Sequence, residues 1–352
     1  MVSSRLASLV CCPDCRQPLA PEGDALRCGA CGRDFGAPGA GYLDLRPRDA
    51  FGEITKYVDE ALHADARHER VSPPLLSAAV RNDVLRRMLR PAPGDRIVDL
   101  GCGSGRVLLW NAGRGAWSVG VDVAPYFARE ALERADLVLG DLRRLPFPDG
   151  AFTKAYALDV LEHLSPEALA AMLRETARVL EPGGAFFVYS HVRRNARVAA
   201  GLRAINRLAR RLERAGLVDM SRERLRKSDH VNPLADVPEL RAVAGAAGFR
   251  LAAIRYYTPL VGGVVENLLV PIAERALARR AARRLPANGQ GAAPDGAAAA
   301  RAARAAAKAR LARRGPLFRL LQIVTVAMKL DLWLFGRVES GPFFALFVKE
   351  TP

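Results

Sequence analysis

From residue 96 onward, short apolar runs alternate with stretches of helical period. RIVDLGCGSGR (96–106) is an apolar strand running into glycines at 101, 103 and 105, and a helical pattern, VLLWNAGRG, follows it. A second run, WSVGVD (117–122), ends in Asp122, and a third, ADLVLGD (135–141), ends in Asp141. The segment LRRLPFPDGAFTKAYALDVLEHL (142–164) holds a fourth strand at about 152–159. A helix over 166–180 then leads through Glu181-Pro182-Gly183-Gly184 to a fifth strand, AFFVYSH (185–191). Strands separated by helices predict an α/β, doubly wound parallel sheet whose ligand lies at the carboxyl ends of the strands.

Composition narrows the class. The chain has 352 residues, of which 50% are hydrophobic and 26% charged, so disorder throughout is excluded. Six cysteines in such a length exclude a disulfide scaffold. The net charge of +16 is uneven: residues 191–230 carry +8, 271–316 carry +9 and the remainder −1. Two basic segments on an otherwise ordinary enzyme-like chain point to nucleic acid or an anionic membrane surface as a partner. The first ten residues are too short for the apolar core of a secretory signal. The most hydrophobic stretch, 317–336, is interrupted by Arg319, Lys329 and Asp331, and its longest uncharged central run, the nine residues 320–328, falls short of the roughly 20 residues that span a bilayer. These features predict a cytoplasmic protein able to touch the inner face of the membrane.

Four of the cysteines form two knuckles, Cys12-Pro-Asp-Cys15 and Cys28-Gly-Ala-Cys31. Two such pairs can set four thiolates tetrahedrally around a structural Zn2+, with no position left open for catalysis. The other reading is a set of reduced or redox-active thiols. Gly29 and Gly32 favour a tight turn at the second knuckle, and Cys12 is preferred over its neighbour Cys11 because its spacing to Cys15 matches the second pair. So small a ribbon has few apolar residues of its own, so the metal is expected to supply folding energy. Residues 35–47, FGAPGAGYLDLRP, read as a return strand and exit.

The glycine turn alone is a weak signal, since a tight turn occurs in many α/β proteins. Asp122, at the tip of the second strand, strengthens it, because a carboxylate there can accept from ribose hydroxyls. The motifs VDLGCGSGR, VGVD, GDLRRLPFPDGAF, DVLEHL and ARVLEPGG, in this order and spacing, resemble the class I S-adenosylmethionine-dependent methyltransferases, in particular the quinone-biosynthesis branch. The resemblance is strong over 94–191. It implies that Asp99, Gly101, Cys102, Gly103 and Gly105 surround the amino-acid part of S-adenosyl-L-methionine. It places Asp122 and Val123 at the ribose, Asp141 and Leu142 at the adenine, and Asp159 to His163 facing the methyl group. The cysteine ribbon followed by GYLDL resembles that of certain ribosomal-RNA guanine methyltransferases, but DVLEHL departs from those enzymes.

The resemblance also implies a seven-stranded Rossmann-like sheet ending in a helix (236–249), a sixth strand (250–259) and a seventh (342–351). The resulting organisation is a zinc ribbon (1–47), a helical linker or N-terminal cap (48–93), the cofactor-binding core (94–191), a basic helical insertion or lid (192–235), core helix and strand six (236–259), a second helical insertion with an Ala/Arg-rich linker (260–341), and strand seven (342–352). Val198, Leu202, Ile205, Leu208, Leu212 and Leu217 recur at helical spacing among arginines, which predicts a basic amphipathic helix over 192–217. Residues 317–336 are expected to be helical too, with the apolar face toward the active-site mouth or a membrane.

The predicted activity is methyl transfer by in-line displacement to an O, N or C nucleophile of a small-molecule or lipid-like acceptor. The weaker alternatives are methylation of an rRNA or tRNA base and a non-catalytic, cofactor-binding regulatory or assembly role. An oxygen nucleophile calls for a base, and His163 and His191 lie at the ends of strands four and five, where a base belongs. His230, in KSDHVNPL (227–234), is expected to return from the first insertion as a lid residue. No catalytic metal pattern is evident along the sequence outside the ribbon.

Overall fold

The computed structural model describes residues 2–23, 25–36, 41–49, 71–193, 207–208, 210–215, 230–231, 233–257, 259–265, 269–270, 272–273, 315–339 and 341–351. In chain order the elements are α1 (Ser4–Leu9), β1 (Leu19–Glu22), β2 (Ala25–Cys28), β3 (Asp34–Phe35), β4 (Leu43–Asp44), α2 (Leu76–Leu89), β5 (Arg96–Leu100), α3 (Arg106–Asn111), β6 (Trp117–Asp122), α4 (Arg129–Arg134), β7 (Asp136–Leu139), β8 (Phe152–Leu158), α5 (Pro166–Val179), β9 (Leu180–His191), α6 (Val237–Ala246), β10 (Phe249–Tyr256), α7 (Pro259–Val264), α8 (Pro316–Phe335) and β11 (Pro342–Lys349).

One sheet runs β10-β11-β9-β8-β5-β6-β7-β4, and β1-β2-β3 form a small separate sheet. In the large sheet β4 and β5 to β9 are parallel, and β11 lies antiparallel between β9 and β10. Its strands carry the buried runs Ile97–Val98, Val119–Val121, Leu137–Leu139 and Phe186–Val188, as expected for a sheet covered on both faces.

Two expectations are corrected. The sheet has eight strands rather than seven, because the exit of the cysteine ribbon pairs with its free edge. Leu43 lies beside Val138 and Asp44 beside Leu139, and Leu45 N–H donates to the Leu139 carbonyl at 2.8 Å. A parallel edge strand left open would expose unpaired backbone groups, and β4 covers them. The fifth strand begins at Leu180 rather than 185, since the Glu181–Gly184 segment stays within the ladder.

The ribbon also joins the main core. Leu6, Val10, Leu19, Leu26, Phe35 and Leu43 are buried in one continuous cluster with Val98, Val138 and Phe147. Helix α1, which the sequence pattern does not predict, is capped by Ser3, whose Oγ accepts from Leu6 N–H at 3.1 Å and donates to Asp136 at 2.7 Å. Trp117 Nε1 donates to the same carboxylate at 2.7 Å. The N-terminal segment is thereby fixed to the starts of β6 and β7.

Within 48–93, the described part contains α2, and residues 50–70 lie outside the described residues. Of the helix expected over 192–217, residues 207–208 and 210–214 are helical, and most of the rest lies outside the described residues. The first insertion leaves and re-enters at one place, where Arg193 N–H donates to the Leu234 carbonyl at 3.0 Å. In the second insertion, the Ala/Arg-rich stretch 286–314 lies outside the described residues, as do 266–268, 271 and 274–285, and the described residues before it include α7.

Helix α8 forms where the second hydrophobic run was expected to be helical. Phe318, Thr325, Met328 and Asp331 face inward. Thr325 Oγ1 accepts from Leu76 N–H at 2.8 Å, and Lys329 pairs with Asp83 of α2. Asp331, which breaks the apolar run in sequence, is 4% exposed and accepts from Val261 N–H of α7 at 3.2 Å. Burial pushes its carboxyl above the ordinary value, against the pull of the Val261 and Gly262 amides. No helix among the described residues is long and apolar enough to cross a membrane.

Candidate active site and cysteine cluster

The loop from β5 to α3 carries three positive-φ glycines: Gly101 (φ 78), Gly103 (φ 54) and Gly105 (φ 76). At Gly101 a Cβ would come within 2.5 Å of Val160 Cγ2, and at Gly105 within 2.8 Å of Ala131 Cβ. Both positions therefore need glycine for space as well as conformation. At Gly103 nothing lies within 4 Å, so its open side faces free space. Gly101 and Cys102 amides both donate to the Val121 carbonyl, at 2.9 and 3.1 Å, which binds the loop to β6. Cys102 is buried beneath it, its thiol raised well above the ordinary value by desolvation.

Asp122 closes the loop from the other side. Its Oδ2 accepts from Gly103 N–H at 2.7 Å and its Oδ1 from Ala124 N–H at 3.0 Å. Burial raises its carboxyl, opposed by the Ala124, Gly103 and Val123 amides. Val123 and Leu142 are half-buried. Asp141 is held by its own neighbour: Arg143 Nε and Nη2 donate to the carboxylate at 2.7–3.0 Å. Asp99 is 2% exposed, and its Oδ2 has no hydrogen-bond partner. Burial pushes its carboxyl well above the ordinary range, a hydrogen bond from Tyr156 lowers it, and the nearby Asp122 raises it further. A buried carboxylate oxygen without a partner costs free energy unless something fills the role. Gly103, Asp122 and Asp99 thus form one polar wall at the ends of β5 and β6, whereas the Asp141 carboxylate is already engaged.

Next to this wall lies a rim at the ends of β8 and β9. Asp159 adopts φ 56, unusual for a residue with a side chain, and its carboxylate pairs with Arg81 of α2. The Arg81 guanidinium lies 5.0 Å from the Tyr189 ring centroid. Glu162, in a short 3-10 turn (Leu161–His163), is 1% exposed. Its Oε2 accepts from Ser190 Oγ at 2.7 Å, and its Oε1 lies 3.3 Å from His191 Nδ1. Burial alone would raise the Glu162 carboxyl, but His191 and Ser190 together hold it below its ordinary value. The first insertion delivers His230 to the same place: its ring lies 4.6 Å from that of His163, at 84°, and 6.4 Å from that of His191. His163 and His191 are therefore brought together, and His230 returns to them from the insertion.

In the ribbon the two knuckles repeat one geometry. Arg16 N–H donates to the Cys12 carbonyl at 2.8 Å and Gly32 N–H to the Cys28 carbonyl at 2.9 Å. Arg16 (φ 62) and Gly32 (φ 70) take equivalent left-handed positions; Gly29, expected to help the turn, does not have a positive φ. Cys12 Sγ lies 3.7 Å from Cys31 Sγ, and Cys15 Sγ 3.4 Å from Cys28 Sγ. The ligand atoms of all four lie within 4.8 Å of one another, and Cys11 is not of their number. The Cys31 amide, ahead of that of Ala30, draws the Cys28 thiol down to about 6, while burial lifts Cys12 to about 12.

Arg81, Tyr156 and Ser190 escaped the sequence reading. Arg81 sits on an ordinary helix, and nothing in its spacing marks it. Tyr156 was within reach, because it faces Asp99 across the β5–β8 ladder. Glu162 stood inside DVLEHL but carried no separate role until Ser190 was placed beneath it.

Residues 98–188 match the family described as "Methyltransferase domain". A sterol 4-C-methyltransferase of Caenorhabditis elegans is 36% identical over 107 residues, 28% of this chain and 31% of that protein. A demethylmenaquinone methyltransferase of Mycolicibacterium vanbaalenii is 38% identical over 108 residues, 29% of this chain and 45% of that protein. The matches span less than half the length of these curated relatives. Among solved structures, the [4+2]-cyclase SpnF covers 84% of this chain and 95% of its own at 20% identity, with a TM-score of 0.48. A Haemonchus contortus phosphoethanolamine N-methyltransferase 2 in complex with S-adenosyl-L-methionine covers 85% and 61% at 16% identity, also with a TM-score of 0.48. Residues 98–188, which hold the glycine loop at the carboxyl edge of the parallel strands, are thus similar to methyltransferase domains.

Proposed function

We propose that this chain transfers a methyl group from S-adenosylmethionine to a small-molecule or lipid-like acceptor. The observation that carries this reading is the unpartnered Oδ2 of Asp99, buried beside a glycine loop that Asp122 holds in place. An ammonium group, such as that of the methionine part, would satisfy that oxygen. The Asp122 oxygens each keep a second lone pair for a ribose hydroxyl. Relatives named for sterol, demethylmenaquinone and malonyl-[acyl-carrier protein] methylation support a small or lipid-like acceptor. When bound, the cofactor supplies an electrophilic sulfonium methyl. The chain orients the two reactants and excludes water, and His191, positioned against Glu162, takes the proton of an oxygen acceptor. Incubating the purified protein with methyl-labelled cofactor and separate lipid, small-molecule and RNA fractions tests the reading. Label transfer with S-adenosylhomocysteine release in the first two fractions supports it. Binding without turnover would make the chain a cofactor-binding module, and label in RNA alone would move the substrate class.

Two accessory roles accompany the enzyme. The first is a structural zinc on Cys12, Cys15, Cys28 and Cys31. Tetrahedral bonds of about 2.3 Å would set the sulfurs about 3.8 Å apart, close to the separations found here. The second is contact with an anionic membrane surface. Helix α8 presents Leu320, Ile323, Val326, Leu330 and Trp333 at 56, 68, 63, 53 and 77% exposure. These residues follow helical spacing on the side away from α2, and the neighbouring segment 271–316 carries +9. An apolar stripe beside a cationic segment suits a lipid surface better than a nucleic acid.

A further inference from the structure

The rim beyond the cofactor wall gathers more ligating groups than methyl transfer requires. The ligand atoms of Glu162, His163 and His230 all lie within 4.8 Å of one another, and those of Asp159, Glu162 and His191 do likewise. Glu162 belongs to both sets. It is nearly fully buried and held from behind by Ser190 Oγ at 2.7 Å, with His191 at 3.3 Å from its other oxygen. The His163 and His230 rings meet edge to face at 4.6 Å. They come from parts of the chain 67 residues apart, one on a turn after β8 and the other on the returning arm of the first insertion.

We propose that Glu162, His163 and His230 hold a divalent first-row transition ion of the Zn2+ type. Imidazole and carboxylate bonds to zinc run about 2.0–2.2 Å, which sets tetrahedral ligand atoms about 3.3–3.6 Å apart. The atoms here need to close in by at most about 1–1.5 Å, within reach of side-chain rotation. Two imidazoles and one carboxylate favour zinc and its neighbours over Mg2+, which prefers oxygen ligands and water. Three protein ligands leave a fourth position open. Ser190 and His191 do the work of an outer layer, fixing the orientation of the Glu162 carboxylate. The ion would tie the insertion to the sheet through His230. On the methyl-transfer reading, its open position faces the acceptor and would polarise an acceptor oxygen.

The test uses the full chain and is read without activity. After equilibrium dialysis against micromolar Zn2+, elemental analysis should give one more ion per chain for the wild type than for the His163→Gln/His230→Gln variant. The ribbon's cysteines are untouched in both. Ser190→Ala should weaken the extra ion about 10–100-fold by loosening Glu162. Circular dichroism and thermal melting of the variants in excess chelator should match the wild type, which separates loss of ligands from loss of fold. Equal ion counts in wild type and double variant would overturn the proposal. Ion binding without methyl transfer to any acceptor would leave the site standing and remove the methyltransferase reading, so the two failures are distinct.

Discussion

Gly103 donates its amide to the Asp122 carboxylate at 2.7 Å, so the glycine loop and the tip of the second strand act as one unit. Removing the carboxylate takes away the loop's anchor and the proposed ribose acceptor together. Asp122→Ala should weaken S-adenosylmethionine binding by about ten- to hundredfold, equivalent to a charged hydrogen bond of roughly 1.5–3 kcal/mol. Gly103→Arg should abolish binding, because its Cβ would project into the open side of the loop. Calorimetry at wild-type affinity in both variants would remove the cofactor from this wall.

Asp99 predicts a proton exchange. Burial first, then Asp122, raise its carboxyl well above the usual value, so the neutral form persists to higher pH than for an exposed aspartate. A cationic ammonium prefers the ionised form and so draws the pKa back down, releasing a proton on binding. Calorimetry in buffers of different ionisation enthalpy should detect net release that Asp99→Asn lacks. Without ligand the sign runs the other way: a raised folded pKa gives stability that is lost as pH rises through it. The wild type should therefore lose stability relative to Asp99→Asn as pH rises above the ordinary carboxylate range. Identical proton release in the two proteins would show that the ammonium sits elsewhere.

The ribbon should stand or fall with its ion. Native protein is expected to retain one tightly held zinc that Cys15→Ala/Cys31→Ala loses. Because Leu6, Val10 and Phe35 share the core with Val98 and Val138, that variant should also melt at lower temperature as a whole. A variant with unchanged zinc would reject the site. Normal metal loss with an unchanged melting curve would mean the ribbon holds its place without the ion.

The membrane prediction is sharper in the structure than in the sequence. From sequence, Leu332, Trp333 and Phe335 are the natural residues to change, yet Leu332 packs against the α2 side. The variant Leu320→Ser/Ile323→Ser/Trp333→Ser alters only exposed side chains. It should lose binding to vesicles of anionic phospholipid while keeping wild-type melting and cofactor affinity. About 0.5 M salt should weaken wild-type binding by screening. Wild-type protein that ignores such vesicles would assign the stripe to some other surface.

The glycine loop was legible because its shape is written in backbone demands. Gly101 and Gly105 stand where a Cβ would strike Val160 and Ala131, and Asp122 stands at a strand tip, so local sequence carries the information. The edge strand was not legible as part of the main sheet, since two residues of extended chain have no periodicity, and their partners Val138 and Leu139 are about 95 residues away. The same holds for the rim. Glu162 and His163 are adjacent in a recognisable motif, but His230 reaches them only through the path of the insertion, and Arg81 reaches Asp159 only through the packing of α2. In the sequence Asp331 is only an interruption of an apolar run; its role as an inward cap for α7 depends on a neighbour 70 residues away.

The bond from Ser3 to Asp136 joins residues 133 positions apart, and that span imposes an order of events during synthesis. At roughly 5–20 residues per second, the N-terminal helix waits about 7–27 s before its receiving strand has even been made. A hairpin such as β1–β2 forms in about microseconds, so its pairing is not delayed by synthesis of the large sheet. The hairpin can thus be paired while the main sheet is incomplete, and Leu6, Val10 and Phe35 are covered only once Val98 and Val138 have arrived. When β7 emerges, the β4 segment that pairs with it has already been made, whereas β10 and β11 at the opposite edge are still to come.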